Sequence, residues 1–157
     1  MALALAVAAL FALAGCGGGD GDETTAAGRP PITKKKFVRE GQALCTRAYR
    51  RQARWMEKFY KRHGYDWREP SKKAREEVNA AVVMKVEREK IKELDALPVP
   101  PGDEVEITKI LASMRKGIRI TEREPERLAE PTEKNPEPFT EARELTADYG
   151  IWICGQP

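Results

Sequence analysis

The feature that most constrains this chain is a long amphipathic stretch near its start. Phe37, Gly41, Leu44, Ala48, Trp55 and Phe59 recur at steps of three and four, with Gln52 as the single interruption. Val38, Cys45, Tyr49, Met56 and Tyr60 form the adjacent row. Apolar residues at this spacing share one face of a helix and cannot share one face of a strand. The spacing predicts a helix from about Thr33 to about Arg62, with Gly64 as its stop. A helix of that length with one wide apolar face must bury it against other elements.

The rest of the chain supplies those elements in proline-bounded blocks. Ser71, after Pro70, reads as the N-cap of a second helix through Val78, Val82, Val86, Ile91 and Leu94 to about Leu97. Val83 and Met84 fall off its apolar row. "LPVPPGDE" then breaks the chain, because Pro98, Pro100 and Pro101 cannot continue a helix. Asp103 with Glu106 reads as a capping-box start for a third helix, which carries Ile107, Ile110, Leu111, Met114 and Ile118 and ends at Thr121 to Glu124. Residues 122–138 are rich in acids and prolines and read as an exposed linker with one helical turn at Glu126 to Ala129. A fourth helix starts at Thr140, turns Leu145 and Tyr149 inward and stops at Gly150. The alternation of Ile151 and Ile153 fits a short strand, although no partner strand is evident. The expected fold is therefore all-α, a small bundle of three to four helices over residues 33–157.

Before the bundle the chain changes character twice. Residues 1–15 are apolar, and residues 17 to about 32 are rich in Gly, Asp, Thr and Ala. Fifteen helical residues span about 22 Å, short of the roughly 20 residues that cross a hydrocarbon core. Their length suits the apolar region of a secretory signal. Leu13, Ala14, Gly15 and Cys16 match the lipobox, and the segment resembles a bacterial lipoprotein signal. The resemblance implies cleavage before Cys16 and diacylglycerol, with palmitate, on the Cys16 sulfur. It departs from the pattern in one respect, since no charge precedes Asp20. The implied place is the extracytoplasmic face of the cell membrane. Residues 16–32 would be a flexible tether of about 20–24 Å root-mean-square span, holding the domain close to the surface.

Lipidation of Cys16 would leave Cys45 and Cys154 as an even pair, which outside the cytoplasm tends to be a disulfide. Two buried free thiols and metal ligation are the alternatives. Ligation is disfavoured by a single histidine, His63, and by the lack of any Cys-x-x-Cys spacing. The mature part is similar to small, helical, functionally uncharacterised lipoproteins of actinobacterial type. The similarity rests on Phe37 before Cys45, on Leu94, Leu97, Pro100 and Pro101, and on Tyr149, Gly150, Cys154 and Gly155. It implies a cysteine pair and a helical domain, and no activity.

No catalytic constellation, metal set or cofactor motif emerges. His63 closes a basic helix and reads as a solvent-facing or capping residue. Glu87, Arg88, Lys90, Lys92, Glu93 and Asp95 read as ion pairs along a solvated helix face. The sharper signal is charge asymmetry: Arg29 to Arg75 carries 16 Lys/Arg against 4 Asp/Glu, whereas Glu76 onward carries 12 against 18. Within the basic part, Arg47, Arg50, Arg51, Arg54, Lys58, Lys61 and Arg62 surround Tyr49, Trp55, Tyr60 and Trp67. Such interleaving suits anionic lipid, anionic wall polymer or nucleic acid. The extracytoplasmic address argues against nucleic acid. The competing reading is a core helix whose basic side pairs with the acidic second half. The expectation is a non-enzymatic binding or structural module, with a ligand carrier as the alternative. A carrier would need a closed cavity lined by residues such as Trp55, Met84 and Met114.

Overall fold

The computed structural model describes residues 31–157. Signal, lipobox, Cys16 and nearly all of the expected tether lie outside these residues. The first helix, α1, runs Lys34–His63. It begins where Thr33 accepts the Lys36 N–H at 3.2 Å, and it ends where Gly64 turns left-handed at φ 68°. Both ends follow from residue type: a hydroxyl satisfies an orphan N–H, and glycine takes positive φ without a Cβ clash.

The second block is one rod with a fault in it. Helix α2 (Lys72–Val78), capped by Ser71, passes through a π-helical segment (Asn79–Val83) into α3 (Met84–Asp95). The wider π turn inserts a residue and rotates the apolar face. Val82, Val83 and Met84 are therefore all buried, where a continuous α-helix would turn Val83 and Met84 away. Helix α4 (Glu104–Arg123) buries all five residues of the expected face. A short turn, α5 (Glu126–Ala129), sits in the acidic segment, and α6 (Thr140–Tyr149) closes the bundle. That segment is less loose than its composition suggests: Leu128 packs on the core, and Pro138 and Phe139 are buried. The Phe139 ring covers Gly117, where a Cβ would lie 2.5 Å from it. No strand occurs among the described residues.

Two apolar clusters share α1. The larger takes Phe37, Leu44 and Cys45 from its first half and joins them to α3, α4, Phe139, α6 and Ile151. The smaller takes Trp55, Met56, Phe59 and Tyr60 from its second half and joins them to Ala74, Val78 and Val82. The disulfide closes the larger one. Cys45 and Cys154 are bonded, 109 positions apart in sequence and 5.1 Å apart at Cα.

The tail that delivers Cys154 differs from the expected strand. Gly150 stops α6 at φ 100°, and Trp152–Gly155 forms a 3-10 helix. Without a partner strand, backbone groups are satisfied locally, as in Cys154 N–H to Ile151 O at 2.8 Å. Ile151 fills the core, while Trp152 stays 56% exposed. Tyr149 meets Phe37 edge to face at 5.7 Å. Gln42 donates to the Gly150 carbonyl at 2.6 Å, tying the tail to α1 a second time.

Candidate functional site: a cationic stripe beside an open groove

The outer face of α1 is an uninterrupted helix, so its side-chain directions follow from its period. At about 100° per residue, Arg47, Arg50, Arg54, Lys58 and Lys61 fall within a sector of about 80°, and the stripe is about 21 Å long. Arg62 lies just beyond one edge and Glu57 beyond the other. All five stripe cations and Arg62 are exposed. Among the described residues none of the six has an ion-pair partner.

Arg51 is the exception among the seven basic residues singled out above. It reaches across to α3, with its guanidinium 3.3 Å from Glu89 and 3.4 Å from Glu93. Many acids of the second half are matched to cations elsewhere, and none of them to the stripe. Glu122 takes Arg88, Glu130 takes Arg75 and Lys72, Asp95 takes Arg115, and Glu141 takes Lys116. The stripe is thus a surplus of positive charge and not one side of an internal pairing.

Beside the stripe lies an open groove of about 730 Å³. One wall is the flank of α1, with Tyr49, Ala53, Met56 and Tyr60; the others come from Trp67, Val78 and Leu128. Burial raises the Tyr60 pKa, and the nearby Arg75 opposes the rise. Arg75 is itself occupied, donating to the Pro70 carbonyl at 2.5 Å and pairing with Glu130. The three residues named for a closed cavity do not line one. Met84 and Met114 are packed in the core, and Trp55 lies half-buried at the surface with Lys85 Nζ 4.8 Å above its ring.

His63 is exposed and stacks on Phe59, with ring centroids 4.2 Å apart. Among the described residues, no three His, Cys, Asp or Glu side chains group closely enough to hold a metal ion. No described helix is long and apolar enough to cross a membrane.

The sequence reading of α3 as a solvated face of intrahelical ion pairs fails in two ways: Arg88, Glu93 and Asp95 pair with other helices, and the one intrahelical pair is dry. Glu87 and Lys90 do pair, at 2.7 Å, but both are buried. The Lys90 ammonium also donates to the Gln156 carbonyl at 2.7 Å, so the tail roofs the pair. The second Glu87 oxygen has no hydrogen-bond partner. Burial pushes Glu87 up and Lys90 down, each toward its neutral form, and their mutual attraction opposes both shifts. The expected capping box also fails. Asp103 is taken by the Tyr149 hydroxyl at 2.6 Å, and Glu106 faces Lys34 at 3.6 Å.

No protein-family model matches this chain, and no curated protein or solved structure matches it either.

Proposed function

We propose that this chain is a membrane-anchored extracytoplasmic lipoprotein, acylated at Cys16, that works without catalysis as a binding or structural module. Its α1 stripe contacts anionic lipid headgroups or anionic wall polymer. One observation carries the reading: six exposed cations lie along one helix with no carboxylate partner among the described residues. An unpaired row of like charge costs self-repulsion in the free protein, and a polyanionic partner relieves it. Nearby Lys and Arg are each worth about 1 kcal/mol against an anionic surface.

The test is binding to soluble polyanions and to anionic vesicles. Arg50→Gln, Arg54→Gln and Lys58→Gln combined should weaken binding strongly, whereas Arg51→Gln should weaken it little, because Arg51 is committed to Glu89 and Glu93. Raising salt to 1 M, where the Debye length is about 3 Å, should abolish it. Binding indifferent to salt and to the triple variant would remove the stripe from the account. The anchor is tested separately: Cys16→Ser should abolish acylation and processing, and a processed, membrane-retained Cys16→Ser protein would contradict it.

A further inference from the structure

We infer that the groove end of the molecule docks on an anionic bilayer, with Trp67 and Tyr49 entering the headgroup layer beside the cationic stripe. This inference rests on the proposed contact with anionic surfaces and chooses between its two sources.

The choice comes from the aromatic residues. Trp67 is 65% exposed and Tyr49 53% exposed. Both line the same groove, together with Ala53 and Met56 on its α1 wall. In water, exposed rings of this size gain nothing from their apolar bodies. At a membrane interface the apolar body meets the acyl boundary while the indole N–H or phenol O–H stays wet. A hydrated wall polymer would satisfy the cations and leave the rings in water. An anionic bilayer satisfies both. In the loop itself the Arg68 guanidinium lies 5.3 Å from the Trp67 ring centroid but is flanked by exposed Asp66 and Glu69, so the positive charge for docking comes from the α1 stripe.

Geometry supports the same occupant. Helix α1 is about 45 Å long. Pro31, where the described chain begins, lies at one end and the Trp67 loop at the other, with the stripe between them. A helix lying on the face between stripe and groove would bring Arg50, Lys61, Tyr49 and the Trp67 loop to one surface, with Arg54 and Arg47 at its edge and Lys58 turned away. Glu57 is the one carboxylate on the groove's α1 wall. It lies between stripe and groove, near the middle of the docking face, where Arg54 and Lys61 at helical spacing offset its charge.

The experiment uses the lipidated protein from Cys16 onward reconstituted into vesicles, so the proposed anchor and tether are present in every arm. Trp55→Phe and Trp152→Phe leave Trp67 as the only indole. In vesicles containing phosphatidylglycerol with brominated acyl chains, Trp67 emission should shift to the blue and lose intensity to the bromine. In phosphatidylcholine vesicles with the same bromolipid it should do neither. Arg50→Gln, Arg54→Gln and Lys61→Gln together should weaken docking about a hundredfold. Trp67→Ala, assayed by Tyr49 protection, should also weaken it with an unchanged melting temperature. Unquenched Trp67 in phosphatidylglycerol vesicles would overturn the inference. If polyglycerol phosphate still bound the stripe, the contact with anionic polymer would survive alone; if it did not, the stripe reading would fall as well.

Discussion

One helix serves two differently built regions. Between Phe37 and Ala48, α1 buries its inward residues in a core closed by α3, α4, α6, the disulfide and the C-terminal tail. Between Trp55 and Tyr65, its aromatic residues are mostly half-buried, their cluster is smaller, and an open groove lies alongside. The amphipathic period is the same in both stretches. The difference lies in what arrives to cover each: a cross-linked tail at one end, and at the other the single rod of α2 and its π segment. One end holds the fold together, and the other is left open.

The largest effect should come from the cross-link. Reduction, or Cys154→Ser, releases a loop of about 110 residues, worth roughly 4–5 kcal/mol in the chain-entropy model. Calorimetry should show the melting temperature falling by more than about 10 °C. A smaller drop would mean that the two ends of α1 are held equally well by packing alone.

The buried pair tests the same end. Lys90→Met alone leaves Glu87 as an uncompensated buried charge and should cost about 3–5 kcal/mol in urea unfolding. Adding Glu87→Met should recover most of it, since apolar replacement of a buried pair is often neutral or stabilising. A double variant as unstable as the single one would show that the ammonium bond to the Gln156 carbonyl, and not the charge balance, is what matters.

A milder perturbation is Tyr149→Phe, which removes the hydroxyl bond to Asp103 and should cost about 1 kcal/mol. Burial and Asp103 hold the Tyr149 proton well above its ordinary 10.0. A raised pKa means that the folded state keeps a proton the unfolded chain gives up. The contribution is complete below about pH 10 and is lost as pH rises through the folded value. Tyr149→Phe should therefore flatten the alkaline end of the stability profile; an unchanged profile would assign that loss to other groups.

The smallest effects belong to the open end. Trp67→Ala and Arg54→Gln touch exposed side chains and should change stability by less than about 0.5 kcal/mol. A loss as large as that of Tyr149→Phe would make this end a structural part after all.

Local chemistry made much of this legible beforehand. Thr33, Ser71, Gly64 and Gly150 act on their own helix ends, and each does what its side chain or its lack of one dictates. The bond between Cys45 and Cys154 is the outcome favoured, over free thiols or metal ligation, by an even count once Cys16 is set aside. What escaped depends on residues far away in sequence. Glu87 and Lys90 sit three apart on a helix, a spacing identical on a wet or a dry face, and only the arrival of Gln156 makes it dry. The π segment left a trace, the run of Val82, Val83 and Met84 that fits no single face, but the trace does not say which turn widens. Asp103 looked like a cap because its partner, Tyr149, lies 46 residues away. The exposed stripe was visible as composition, yet its freedom from pairing was not, since that required knowing which acids meet which bases.

The most direct test of the contrast between the two ends is hydrogen–deuterium exchange on the full chain, with and without phosphatidylglycerol vesicles. The account predicts slowed exchange over the second half of α1 and the loop through Trp67, with residues 140–157 unchanged. Protection centred on the disulfide-bonded tail, with residues 47–70 exchanging as in the free protein, would contradict it.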